Sequence, residues 1–396
     1  MTDCCIIGGG VIGLSIAREL AGRGASVRVL ARGGRQDTAS WAAVGIFPPA
    51  PHHPGCPPNA ALTAWSDRLH RQLAADLRAE TGIDNGLRQC GGLHVAGDAP
   101  GLEGLRAAAR DWRARGAACQ DLDGRGLAAC EPALAGGVER GAIVGGFLLP
   151  EEQSLRSPRH LAALEESCRL RGVVVTHGAE VGDVDRVAGR VASVTARIDG
   201  VAETVRAATF VLAAGAWTES LADRWGLRIA TRPIRGQIAM FELPTQPLAR
   251  IVNHGLDYLV PREDGRLLVG STLEDVGFTA TTTAAAIARL LALARRLLGD
   301  IVRGEPARVW AGLRPGSADG LPTIGPVPGL TNAFVAAGHF RAGLHQSTGT
   351  AVMLADLITG MRPAIDPTAF AADRPPAPPS ADSVAAYLAR VAAEKG

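Results

Sequence analysis

Three kinds of residue in this chain stand where they could do chemistry. The first is a glycine run, Gly8-Gly9-Gly10-Val11-Ile12-Gly13, directly after the apolar stretch Cys4–Ile7. A pyrophosphate needs backbone N–H groups at a helix N-terminus and no side chain in the way. Gly8 permits the tight turn, Gly10 the close approach, and Gly13 the helix–strand packing. The second is a pair of arginines. Arg314 lies between Leu313 and Pro315, an apolar setting. There a planar guanidinium suits either a bound carboxylate, gripped as a bidentate fork, or a structural ion pair to a buried Asp or Glu. Arg341 follows a strand–glycine turn, where α/β sheets place ligands; a plain surface arginine is the alternative. The third is Tyr258, one of two tyrosines in the chain, in an apolar strand where the ring serves either core or ligand. His339 could act as a base, or pack and hydrogen-bond beside a ligand.

These residues need elements to position them. Cys4–Ile7 reads as a strand, Leu14 to Arg23 as a helix stopped by Gly24, and Ser26 to Ala31 as a second strand, which is a βαβ opening. Helices are expected over Leu62 to Thr81, Leu102 to Gly116, Ser157 to Arg171, Ala284 to Leu298 and near Gly349 to Thr359. Buried, parallel-type strands fall near 4–7, 27–31, 173–175, 210–214 and 334–337. Antiparallel-looking strands, Arg232 to Leu243 and Asp257 to Ser271, lie between them. Residues 374–379 are Pro-rich, and Asp382 to Ala393 reads as a short peripheral helix. The glycine loop alone leaves FAD and NADP both open. The second strand ends in Ala31 and Arg32, where an acid usually holds the ribose. Arg32 is then either a 2′-phosphate partner or a solvated arginine.

Composition removes several classes. Among 396 residues the formal charge is only +2, which calls for neither nucleic acid nor an anionic membrane. Lys395 is the sole lysine, so no core lysine can serve as base or Schiff-base group. The seven cysteines show no CxxC pair or zinc spacing, and buried free thiols in a reducing cytoplasm are expected. His52-His53 in a Pro-rich loop are not taken as metal ligands. The N-terminal apolar run lacks a basic flank and is broken by glycine, unlike a signal peptide or a membrane span.

Five blocks then carry a resemblance across about residues 3–365: CCIIGGGVIGLSIAREL, ASWAAVGIFPP (39–49), VLAAGAW (211–217), PIRGQIAMFE (233–242) with DYLVPREDGRLLVGST (257–272), and WAGLRPGSADGLPTIGPVPGLTNAFVAAGHFRAG (310–343). With these the chain resembles the D-amino-acid oxidase superfamily, and within it the glycine oxidases. The resemblance favours FAD over NADP and implies an α/β fold. A discontinuous FAD-binding Rossmann-type domain (1–45, 146–225 and 310–370) would carry an inserted, mainly antiparallel α+β substrate domain (46–145 and 226–309), with a tail at 371–396.

By the same resemblance Arg314 and Tyr258 hold the substrate carboxylate and Arg341 sits beside it. Cofactor contacts are expected from Gly8, Gly10, Val11, Ile12, Gly13, Ala31, Arg32, Ala39, Ser40, Val44, Gly45, Ile46, Val181 and Gly215. A last group runs along the backbone through His339, Phe340, Arg341, Ala342, Gly343 and Leu344. FAD should be non-covalent, because GHFRAGLHQ has no cysteine. The implied reaction fixes the carboxylate, needs a neutral amine, and passes a hydride from Cα to the flavin. Dioxygen then becomes hydrogen peroxide, and the imine hydrolyses to a 2-oxo acid and ammonia. Glycine would give glyoxylate, and its imine could feed thiamine thiazole synthesis. A cytoplasmic homo-oligomer, often a tetramer in the family, is implied as well. Two alternatives stay open: a related oxidase or dehydrogenase of D-amino acids or secondary amines, and a non-catalytic protein that has lost flavin, for which Ala31 speaks. Two further departures are Ala342, where glycine oxidases often have Asn, and the polar run Leu344-His345-Gln346-Ser347, which should alter the flavin's surroundings.

Overall fold

The computed structural model describes residues 2–33, 36, 38–229, 231–375, 378–380 and 383–393. The glycine loop follows the carboxyl end of an interior strand of a six-stranded sheet, in the order Thr323–Pro326, Ala333–Ala337, Ala207–Leu212, Thr2–Ile7, Val27–Leu30, Val174–Thr176. All pairings are parallel except that between Thr323–Pro326 and Ala333–Ala337. Strands covered on both faces read as continuous apolar runs, because successive side chains point to opposite sides. Accordingly Cys4, Ile6, Val29 and Val211 enter one core with the helices Val11–Gly22, Ser157–Leu170 and Gly343–Thr359. Cys5, Ile7, Leu30, Phe210 and Leu212 enter another.

That second core is closed by an unexpected element, a three-stranded antiparallel sheet over Ala179–Val187, Arg190–Ile198 and Val201–Val205. Its turns are Ala188-Gly189 and Asp199-Gly200, all at positive φ, the geometry whose twist matches a hairpin. The Asp-Gly pair was the available signal.

An eight-stranded sheet forms the second layer, ordered Arg308–Ser317, Thr231–Glu242, Arg266–Gly270, Asp257–Pro261, Ile251–His254, Gly92–Ala96, Gly145–Leu149, Gln120–Asp123. Two of its strands, Gly145–Leu149 and Arg308–Ser317, run across the expected domain boundaries at 145/146 and 309/310. The amphipathic helix Ala284–Leu298 covers its far face with Leu290, Leu293, Ala294 and Leu297. The expected helices are present, and the last begins earlier, at Gly343. All seven cysteines are free thiols; burial pushes Cys5 and Cys168 up to about 12, which leaves them inert.

Four histidines are buried, His70, His160, His339 and His345, and burial shifts the first three strongly. His70, on helix Pro58–Thr81, donates through Nε2 to the carbonyls of Leu344 and His345 at 3.1 and 2.8 Å, tying that helix to Gly343–Thr359. Burial pushes His70 down to about 3, His160 to about 4 and His339 to about 3. All three are neutral in the folded protein and protonate on unfolding below the ordinary value near 6.5. Because the unfolded chain binds more protons there, stability is complete above pH 6.5. It falls on acidification through the window from 6.5 to about 4, by up to about 1.4 kcal/mol per pH unit for each histidine. Calorimetry at pH 7, 6 and 5 should show a falling melting temperature with proton uptake on unfolding. A flat profile across that range contradicts the neutral assignment.

Candidate active site

Between the two sheets runs a cleft of about 1070 Å³. At one end the glycine loop leaves the strand Thr2–Ile7. Gly8 has φ +126°, and a Cβ there would lie 2.1 Å from the Ala213 carbonyl oxygen; one on Gly13 would lie 1.9 Å from the Gly8 oxygen. Both glycines are demanded by packing. Gly13 accordingly lies behind the cleft wall, whereas Gly8, Gly10, Val11 and Ile12 line it. A Cβ on Gly10 would meet only Ser40 Oγ, at 3.3 Å, so that position is kept bare on the cleft side. Val11 N–H donates to Ser40 Oγ at 3.0 Å, and the N-cap Gly10 offers no side chain to the amides that follow. Helix Gly343–Thr359 also starts at the cleft without a side-chain cap. Two uncapped N-termini give a site of positive potential suited to anionic oxygen atoms.

The other expected cofactor contacts line this cleft: Ala31, Arg32, Ala39, Ser40, Val44, Gly45, Ile46, Val181, Gly215 and the run His339, Phe340, Arg341, Ala342, Gly343, Leu344. Gly45 has φ +73°, with the Leu155 carbonyl where a Cβ would go. Arg262, buried and pushed down to about 10 by that burial, donates to the Val44 carbonyl at 2.5 Å. It holds this loop in place. His339 is paired with Thr350 Oγ1 at 3.0 Å and, being neutral, is a packing residue rather than a charged one.

Arg32 is exposed, as a solvated arginine would be, and its guanidinium also lies 3.9 Å from the Trp217 ring centroid, a cation–π contact. One expectation needs correction here. The polar run after Ala342 faces mainly the helix Pro58–Thr81. Gln346 donates to Asn59 Oδ1 (2.6 Å) and Thr63 Oγ1 (2.9 Å), and His345 pairs with Asp67 (2.9 Å). Its polarity is consumed by helix packing, and of its polar side chains only His345 also lines the cleft.

At the other end Tyr258, Arg314 and Arg341 come together in the same cleft. Tyr258 stands opposite Gly270, and Gly270 opposite Ile238; Arg314 stands opposite Ile234. Cross-strand partners share a face, so these side chains rise from one surface. Glycine makes the room: a Cβ on Gly236 would lie 2.2 Å from Arg314 Nη2, and one on Gly270 would lie 2.6 Å from the Tyr258 ring. Arg314 donates to Thr272 O (3.2 Å) and Ser271 Oγ (2.8 Å), with the Tyr258 hydroxyl in hydrogen-bonding reach. Burial lowers its pKa and nearby Arg341 lowers it further, against Tyr258. Among the described residues no carboxylate pairs with Arg314, which removes the structural ion pair as an explanation.

Sequence reasoning missed three features of this end. Gly236 and Gly270 are recognisable only once strand register is known. His94, Glu152 and Asn253 also line the cleft. The Glu152 carboxylate, 2% exposed, accepts from Asn253 Nδ2 at 3.1 Å and pairs with His94 Nε2 at 3.0 Å. Finally, Tyr387 and Arg390 reach the cleft from the helix Val384–Ala393, which is therefore not peripheral.

A parallel sheet with a bare glycine loop, joined to an antiparallel sheet bearing an unpaired guanidinium, defines a dinucleotide-cofactor protein with an anion-binding arm. The chain belongs to the FAD dependent oxidoreductase family, whose model matches residues 3–357. Among its relatives, the glycine oxidase of Pseudomonas aeruginosa is 34% identical over 371 residues, covering 92% of this chain and 97% of that protein. The bifunctional protein ThiO/ThiG of Nostoc sp. is 33% identical over 366 residues, covering 90% of this chain and 52% of that protein. The crystal structure of glycine oxidase from Geobacillus kaustophilus superposes with a TM-score of 0.86 at 32% identity, over 95% of this chain and 99% of that one.

The residues present fit FAD. Bare Gly8 and Gly10 and the amide at Ile12 suit the pyrophosphate, and the uncapped start of helix Gly343–Thr359 suits an electron-rich ring edge. Gly10→Val should fold, because its Cβ has cleft space, but should lose FAD affinity by roughly tenfold or more. Gly8→Val should fail to fold. Absorbance near 450 nm during FAD titration checks the first, and a Gly10→Val protein that keeps full affinity would place the cofactor elsewhere.

Proposed function

We propose that this protein oxidises glycine, and with lower efficiency other small amino acids, to the imine and then the 2-oxo acid, with release of ammonia and hydrogen peroxide. The observation that supports it is the half-buried Arg314 guanidinium beside the Tyr258 hydroxyl, without a carboxylate of its own among the described residues, in the cleft that also carries the glycine loop. When bound, FAD supplies the two-electron acceptor and the route by which those electrons reach dioxygen. The chain's own residues do the rest. Arg314 takes the substrate carboxylate as a fork, and the Tyr258 hydroxyl donates a further hydrogen bond, which fixes the Cα–H direction. Arg341 adds positive potential at the same end. Neutral His339 adds no charge that would oppose an incoming amine. For glycine the balance is glycine, dioxygen and water giving glyoxylate, ammonia and hydrogen peroxide.

The kinship with glycine oxidases supports glycine as substrate, and the ThiO/ThiG relative supports a place for the imine in thiamine thiazole formation. No described helix is long and apolar enough to cross a membrane, which fits the cytoplasmic site of action we propose, as a homo-oligomer.

Peroxide release assayed with glycine, sarcosine, D-alanine and D-proline should favour glycine; D-proline far ahead of glycine would sink the proposal. Arg314→Ala loses charged hydrogen bonds, each contributing roughly 1.5–3 kcal/mol. Its KM should rise roughly ten- to hundredfold, turnover should fall, and bound flavin should be retained. Loss of flavin in that variant would make Arg314 a structural residue.

A further inference from the structure

The family match ends at residue 357, yet the chain beyond it returns to the cleft. Its path is tethered. Arg374 forks onto Asp319, Nε to Oδ2 at 2.9 Å and Nη2 to Oδ1 at 3.1 Å, and also donates to Leu321 O, Thr323 Oγ1 and Ala371 O at 3.0–3.1 Å. Burial pushes the Asp319 carboxyl up, but the Arg374 fork outweighs it and holds the group below the usual carboxylate range. Ser383, fully buried, then accepts from Ala386 N–H at 3.2 Å and starts the helix Val384–Ala393.

That helix docks by shape. Val384, 2% exposed, fills a slot on the strand Arg308–Ser317 that exists because residue 316 is glycine: a Cβ there would lie 2.2 Å from Val384 Cγ2. Val384 packs with Ile234, Leu273 and Phe340, and Tyr387, Leu388 and Val391 join them. The Tyr387 ring meets Phe340 edge-on at 5.3 Å. Two guanidinium groups lie over this ring, Arg341 at 4.9 Å and Arg390 at 4.4 Å from its centroid. Tyr387, Arg341 and Arg390 line the cleft together with Arg314.

We propose that the C-terminal helix is a fixed cap on the substrate arm and that Tyr387 is its specificity-determining residue. Tyr387 holds Arg341 toward the carboxylate site through its ring face and walls off the space beside Cα that a large side chain would need. The inference rests on the small-amino-acid reading of this cleft. Positive charge held by an aromatic face keeps its attraction for an anion while losing its freedom to swing into solvent, so the cap acts on binding and selectivity rather than on the chemical step.

The test uses the FAD-loaded full chain and three ways of disturbing the cap: Tyr387→Ala, Gly316→Val, which fills the Val384 slot, and Arg374→Ala, which cuts the tether at a residue that does not itself line the cleft. Tyr387→Phe keeps the ring and serves as the conservative control. Acetate binding, read as a change in the flavin spectrum, should weaken roughly fivefold in all three disturbed variants. KM for glycine should rise in step with little change in kcat. The ratio of kcat/KM for D-phenylalanine to that for glycine should rise roughly tenfold. Tyr387→Phe should stay near wild type. Faster trypsin cleavage at Arg390 reports that the helix has been released. A released helix with unchanged acetate affinity and unchanged substrate ratio overturns the proposal, as does a Tyr387→Phe variant as impaired as Tyr387→Ala. Acetate binding does not need turnover: a wild-type protein that binds acetate but leaves glycine unoxidised overturns the functional reading, and the acetate series then judges the cap alone.

Discussion

A half-buried guanidinium with no carboxylate partner among the described residues is the constraint around which the substrate end is organised. Taking such a charge out of water is costly unless hydrogen bonds and a counter-charge replace the lost solvation. Arg314 has a carbonyl, a hydroxyl and a phenol within reach, all neutral, and a second cation near it. An arrangement so incomplete persists only if the rest of the structure enforces it. Gly236 leaves the space that the guanidinium fills, Gly270 does the same for the Tyr258 ring, and the antiparallel register puts both on one face. The missing negative charge is what an amino-acid substrate carries.

The same logic governs the cofactor end, where positive potential comes from backbone rather than side chains. Two helices start at the cleft with no side-chain cap, and unsatisfied N–H groups are the standing demand for an anionic partner. Of the acids that line the cleft, Asp257 is forked by Arg289 and Glu152 is held by His94 and Asn253. A chain with a formal charge of only +2 thus concentrates positive potential in one cleft without being a basic protein.

How much of this is legible in the sequence depends on whether a residue type answers a local or a distant demand. The glycine loop is legible because backbone geometry at Gly8 and packing at Gly13 admit nothing larger, a demand met within the same βαβ unit. The buried parallel strands are legible because cover on both faces forces apolar runs. The sheet over 179–205 escapes notice, its strands being half-exposed and short on apolar runs, although Asp199-Gly200 marks a turn. The meaning of Gly236, Gly270 and Gly316 is illegible without register, since each serves a side chain from another strand or from the C-terminal helix.

The meeting of Arg314 with Tyr258 is likewise not contained in spacing. Strand order and register create it, and only the resemblance to a known family pointed there beforehand. The C-terminal helix shows the limit most clearly. Its apolar stripe of Val384, Leu388 and Val391 states that one face must be buried, and nothing in the stripe says against what. The answer lies in a slot left by a glycine on a distant strand and in a half-buried arginine tether that aims the chain back. A segment beyond the family match can therefore become part of the substrate site through two contacts, neither of which touches the reacting end of the cleft.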